Sequence, residues 1–166
     1  VEKSFVNLVK KIKSYKNLSL NCLSVHIGSQ ILKMKPFENT IKVIERIIKK
    51  TKYNFEYIDL GGGIGIPYNK NNNSFNLHAY NSLIKKFRSK YKCKIIFEPG
   101  RAIIGNAGLI VTRITYIKKS PKKNFVILDA GMNDLMRPAL YNAKHEILPS
   151  NKNKKIYNKQ FEFVGP

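Results

Sequence analysis

Apolar residues recur at helical spacing at the start of the chain, where Val1, Phe5, Leu8 and Ile12 are separated mainly by lysines and small polar residues. This spacing predicts an amphipathic helix with one face toward a core. A strand is expected over residues 18–27, carried by Leu18, Leu20, Val25 and Ile27 and stopped at Gly28. Pro36 then opens a second helical pattern through Phe37, Ile41, Ile44 and Ile48, since proline is tolerated in a first turn that has no use for its missing N–H. Residues 55–60 form a short β-prone run that ends in Gly61-Gly62-Gly63-Ile64-Gly65. Asn76 suits the N-cap of a third helix, on which Leu77, Tyr80, Ile84 and Phe87 share a face. Residues 94–97 supply the next strand, ending at Glu98-Pro99-Gly100-Arg101. Helix and strand thus alternate three times, which predicts parallel β/α units with polar motifs at the C-terminal strand ends, where a β/α barrel places its chemistry.

The pattern changes after about Gly105. Residues 109–117 and 124–128 are strand-like and are joined by a turn at Ser120-Pro121 with no helix-length segment between them. The expected division is therefore a partial β/α barrel over residues 1–105 and the beginning of a β-rich domain over 106–166. Polar insertions at 69–73 and 150–155 read as surface loops, and no internal repeat is visible.

Composition adds three points. The chain has 166 residues, 43% of them hydrophobic, which is enough for one core and part of another. No segment resembles a signal peptide or approaches the roughly 18 apolar residues of a membrane helix, so a soluble, cytoplasmic protein is expected. Cys22 and Cys93 lie far apart beside apolar stretches, an arrangement that fits buried thiols better than a disulfide framework or a metal site. A net charge of +21 would by itself suggest a nucleic-acid surface. The excess is nearly all Lys, mixed with abundant Asn and scattered over helix faces and loops; the reading is therefore of solvated positions, with no nucleic-acid partner. Neither end looks like a natural terminus, since the chain opens at Val1 and stops at Pro166 directly after an apolar run, and a fragment is expected.

The unusual residues cluster at four strand ends: His26-Ile27-Gly28-Ser29-Gln30; Asp59-Leu60 with the glycine run; Glu98-Pro99-Gly100-Arg101; and the stretch from Asp129-Ala130-Gly131 through Arg137-Pro138-Ala139-Leu140-Tyr141. Singly, each has a plain alternative. The Gly61-Gly62-Gly63 triplet is as readily a tight turn as a place where amides approach a phosphate. His26 alone reads as a satisfied core histidine. Glu98, at the end of an apolar strand, would point into a barrel mouth and need a partner there. Arg101 and Arg137 are two of five arginines in a lysine-rich chain, which favours recognition of a carboxylate or phosphate by a bidentate fork. Asp129 and Asp134 suit turn capping.

Taken together, from about Ser24 to Pro166, these motifs resemble the fold-type III pyridoxal-phosphate decarboxylases, whose barrel is of the alanine-racemase type. The first three motifs belong to the wider group that includes ornithine and arginine decarboxylases. The Asp129 to Tyr141 stretch, followed by Asn142-Ala143-Lys144-His145, is similar to the diaminopimelate decarboxylase family in particular. That resemblance implies pyridoxal 5'-phosphate as cofactor, held by His26, Ser29, Gly61, Gly62, Gly63, Glu98, Pro99, Gly100 and Arg101, with His26 stacked on the ring and Glu98 paired with its nitrogen. It implies substrate binding by Arg101, Arg137 and Tyr141, with meso-diaminopimelate decarboxylated to L-lysine, and a homodimer. The family's Schiff-base lysine lies upstream of anything present here, and its Cys-Glu-Ser segment follows a Val-Gly-Pro like Val164-Gly165-Pro166, so no catalytic residue and no metal ligand is assigned. A fragment lacking both is expected to be inactive alone. The alternatives are a basic amino-acid decarboxylase of the ornithine or arginine type, or a non-catalytic basic homologue.

Overall fold

The computed structural model describes residues 2–68, 73–151 and 160–166. Of the two polar insertions, residues 69–72 and 152–155 lie outside the described residues, as does Val1. The chain divides into two compact units, Val1–Gly108 and Leu109–Pro166.

The first unit is built from β/α repeats: α1 Glu2–Ile12, β1 Cys22–Ser24, α2 Met34–Thr51, β2 Tyr57–Asp59, α3 Leu77–Tyr91, β3 Lys94–Ile96 and a single turn, α4 Arg101–Ile104. The strands form a parallel sheet in the order β1-β2-β3, in register at Leu23, Ile58 and Ile95. Leu23 and Ile58 meet Phe37, Ile41, Ile44 and Ile47 of α2 and Tyr80, Ile84 and Phe87 of α3 in one buried cluster. Burying a residue such as Ile44, fully inaccessible, contributes about 1.5–3 kcal/mol. Phe37, Phe75 and Tyr80 meet edge to face, with centroids 5.0–5.5 Å apart, the arrangement aromatic quadrupoles favour. Burial there pushes the Tyr80 phenol up to about 12.

The helix ends follow the sequence signals in part: α2 begins at Met34, two residues before the Pro36 expected to open it. Asn76 Oδ1 accepts from the Ala79 amide at 2.9 Å, closing the N-terminus of α3 as its side chain predicts. Both long helices stop at a lysine in the left-handed conformation, Lys52 at φ 49° and Lys92 at φ 50°. Their amides donate to Ile48 O and Arg88 O. A Cβ in that conformation costs roughly 1 kcal/mol, so Lys92→Gly is expected to stabilise the fold by about 0.5–1 kcal/mol. The denaturant midpoint of the full-length protein would show it, and an unchanged or lower midpoint would refute it.

Three expectations need correction. Leu8 is 51% exposed and Val9 is fully buried, because α1 turns Phe5 and Val9 inward, a pair with equally good helical spacing. Leu77 is 62% exposed, since it occupies the first helical position ahead of the packed turns. The strand expected over 18–27 shortens to Cys22–Ser24, and Leu18 is 59% exposed. Residues between α1 and that strand make turns instead, with the Tyr15 amide donating to Ile12 O and the Leu18 amide to Tyr15 O. Cys93 is buried and its thiol is pushed up by desolvation, whereas Cys22 is half-buried; both are free. No helix among the described residues is long and apolar enough to cross a membrane.

The second unit holds a sheet in the order β4-β5-β6, formed by Ile114–Lys119, Asn124–Leu128 and Glu162–Val164. β4 pairs antiparallel with β5, and β6 runs parallel to it. The hairpin closes at Ser120, whose hydroxyl donates to Lys123 O at 2.6 Å and whose amide donates to the same oxygen. The strand expected from 109 begins at Ile114 instead; its N-terminal extension is held by Asp129, which accepts from Thr112 Oγ1 at 2.6 Å and from the Arg113 amide at 2.8 Å. The Thr112 hydroxyl, then the Arg113 amide, keep the Asp129 carboxyl below its usual range. Asp134 accepts from the Gly131 amide at 2.8 Å. Asp134 therefore holds a turn, as expected, whereas Asp129 ties β5 to the segment that leads into β4 instead of capping a turn.

Candidate cofactor and substrate site

Parallel register brings three strand ends to one edge of the first unit. Beyond the strands the pairing continues loop to loop: Val25 N donates to Asp59 O, Leu60 N to Ile96 O, and Glu98 N to Gly61 O at 2.7 Å. His26, the glycine run and Glu98 are neighbours because these three bonds carry the sheet spacing past the last paired residues.

The glycines are required where the loops touch. Gly61 has φ +64°, and a Cβ there would sit 3.0 Å from His26 Nδ1. A Cβ on Gly62 would overlap the Glu98 carbonyl oxygen. The Gly62 amide donates to His26 Nδ1 at 3.5 Å. His26 is exposed. The reading of it as a core histidine is thereby overturned: strand β1 ends at Ser24, so His26 already lies on the loop above the sheet, resting on the glycine backbone.

Glu98 is exposed, and its carboxylate has no partner among the described residues. Pro99 is half-buried. Gly100 is exposed, and a Cβ on it would meet nothing within 4 Å. The Gly63 carbonyl accepts from Ile31 N at 2.9 Å, while the amides of Gly63 and Arg101 donate to no group among the described residues. The Ser29 hydroxyl is exposed and likewise unpaired among them. Arg101 Nη1 donates to Gln30 Oε1 at 2.9 Å.

Arg137 and Tyr141 belong to the second unit, on the short helix α5 Arg137–Tyr141, which the sequence pattern does not predict. One turn apart, they place the guanidinium carbon 5.2 Å from the ring centroid, within cation–π range. Arg137 Nε is buried with no partner among the described residues.

Two residues escape sequence reasoning. Asp59 is 8% exposed and accepts from the Gly61 amide at 2.8 Å and from Ser24 Oγ at 2.9 Å, so it anchors the first turn of the glycine loop. Its signal was a carboxylate ending an apolar strand, the same one that drew attention to Glu98. Gln30 gave only the weaker sign of a polar residue at the end of a motif.

The comparisons with known proteins agree with this geometry. Residues 2–105 match the family described as pyridoxal-dependent decarboxylase, pyridoxal binding domain. The chain is 41% identical over 161 residues to a diaminopimelate decarboxylase of Zymomonas mobilis, covering 95% of this chain and 38% of that one. Among solved structures it is similar to AQ1208 from Aquifex aeolicus, with a TM-score of 0.87, 34% identity, and coverage of 100% of this chain and 42% of that one. It is also similar to diaminopimelate decarboxylase from Helicobacter pylori complexed with L-lysine, with a TM-score of 0.82, 32% identity, and coverage of 99% and 41%. The chain thus spans about two-fifths of the length of these relatives.

Proposed function

The chain belongs to the pyridoxal-dependent decarboxylases, and from that premise we propose that the protein it represents converts meso-2,6-diaminopimelate to L-lysine and carbon dioxide. On this reading the first unit is part of a (β/α)8 barrel that binds pyridoxal 5'-phosphate, and the chain beyond about residue 105 begins a β-rich domain. A cytoplasmic homodimer goes with it. The observation that carries the proposal is the meeting of His26, the glycine loop and Glu98 at one end of the parallel sheet, with the Glu98 carboxylate unpartnered among the described residues.

The residues present fit the cofactor. Amides at Gly63 and Arg101 and the Ser29 hydroxyl are donors without acceptors among the described residues, and the open space above Gly100 lets an anion approach the backbone. Pro99 fixes the turn that presents them. Pyridoxal phosphate, when bound, supplies an electron sink for the pair left behind as carbon dioxide departs. Glu98 would hold a proton on the ring nitrogen, because a negative charge hydrogen-bonded to that N–H favours the cationic ring. His26, with Nδ1 engaged by the Gly62 amide, offers a flat face for stacking. No lysine of this chain is given the Schiff-base role.

Substrate choice would rest on Arg101, Arg137 and Tyr141. Diaminopimelate carries a second carboxylate that ornithine lacks, and an arginine enclosed without an anion is costly. Support comes from Arg137, whose Nε already lacks a partner among the described residues while its guanidinium is oriented by Tyr141. In the full-length gene product, carbon dioxide release is expected from diaminopimelate, dependent on added pyridoxal phosphate, and not from ornithine or arginine. Turnover of ornithine would overturn the substrate assignment. Absence of both cofactor binding and turnover would overturn the activity.

A further inference from the structure

Gln30 is the one non-glycine residue in the loop after β1 with a left-handed backbone, at φ 60°, a conformation that persists where the surroundings hold it. Its side chain is held at both ends. Nε2 donates to Ile66 O at 2.6 Å, and Oε1 accepts from the Ile66 amide at 3.3 Å, so the carboxamide pairs with the Ile66 peptide as a second backbone would. The second lone pair of Oε1 then accepts from Arg101 Nη1 at 2.9 Å. Gly65 must lack a side chain for this to happen, since a Cβ there would stand 3.0 Å from Gln30 Oε1 and 2.8 Å from Gln30 C. One carboxamide thus ties together the loops that follow β1, β2 and β3.

From this we infer that Gln30 is a positioning residue: it aims the Arg101 guanidinium at an anionic group of cofactor or substrate without neutralising it. A neutral amide oxygen is suited to that task. It fixes one N–H of the guanidinium and leaves the full charge and the remaining donors for the ligand, whereas a carboxylate in its place would compete with the ligand. No carboxylate among the described residues lies within salt-bridge distance of Arg101. The inference rests on the proposed anion-binding role of Arg101.

The test uses the full-length protein and compares Gln30→Ala, Gln30→Glu, Arg101→Ala and the double variant Gln30→Ala/Arg101→Ala. Affinity for pyridoxal phosphate is read by fluorescence and KM for diaminopimelate by carbon dioxide release, with thermal midpoints recorded alongside. In whichever quantity Arg101→Ala impairs, Gln30→Ala is expected to cost about tenfold, and nothing further when Arg101 is already absent. Gln30→Glu keeps the backbone and the length of the side chain, and is expected to weaken binding as well, through competition for Arg101. If Arg101→Ala changes neither quantity, the anion role of Arg101 fails and Gln30 has nothing to position. If Arg101→Ala is impaired while Gln30→Ala is not, the positioning role alone is wrong. Equal losses from Gln30→Ala with and without Arg101 would also overturn it, by showing that Gln30 acts through the fold.

Discussion

Glu98→Ala in the full-length protein is expected to lower kcat for diaminopimelate by roughly 10²–10³-fold, the range seen when one preorganised electrostatic partner is removed from a reacting centre. The expectation follows from placement. Glu98 sits at the C-terminal end of β3, its amide bonded to Gly61 O at 2.7 Å and its carbonyl against Gly62, so the backbone is fixed on both sides while the carboxylate stays free. Such a group contributes little to folding, and its loss should leave the thermal midpoint close to the parent's. Glu98→Gln should lose nearly as much as Ala, because an amide presents no negative charge to hold a proton on the ring nitrogen. Cofactor binding, followed by absorbance, should persist in both variants. Turnover within a few-fold of the parent would remove Glu98 from the mechanism.

Gly62→Ala is expected to have the second largest effect, at the level of the scaffold. The added Cβ would overlap the Glu98 carbonyl oxygen and lie 3.3 Å from Glu98 C, and neither atom can swing aside as a flexible side chain could. Overpacking of this kind typically costs about 1–3 kcal/mol, and the obstructing backbone puts this site at the upper end. The loop after β2 would have to part from the loop after β3, taking His26 with it, since the Gly62 amide contacts that ring. A lower denaturant midpoint and at least tenfold weaker pyridoxal phosphate binding should appear together. Gly100→Ala is the control for stability: its Cβ would enter open space at φ −86°, so its midpoint should stay within about 0.5 kcal/mol of the parent. Equal destabilisation by both would mean that glycine content, and not the contact with Glu98, decides.

Much of the first unit was legible in the linear pattern. Phe37, Ile41 and Ile44 on α2, and Tyr80, Ile84 and Phe87 on α3, are buried as their spacing predicts, because a long helix on a sheet has only one face to offer. Asn76 capped its helix for a purely local reason, and local rules survive folding. Short elements were harder to read. In α1, both Leu8 and Val9 complete a helical stripe, and only contact with α2 selects Val9. The parallel strands shortened to three paired residues, beyond which only single hydrogen bonds such as Leu60 N to Ile96 O join the neighbours, a limit that no strand can announce from its own composition.

The sequence by itself determined the alternation of helix and strand, the glycine run, and the set of residues able to do the chemistry. Those are matters of spacing and side-chain type, which one segment carries without its neighbours. Only the tertiary structure decided which residues act as supports. Asp59 holds the glycine loop through the Gly61 amide, and Gln30 holds Arg101 across 71 positions of chain. Tertiary packing also decided that His26 stands exposed on the glycine loop instead of in the core. The reason is physical: a hydrogen bond between distant loops depends on how three strands are registered, and register is a property of the paired sheet and not of any one strand.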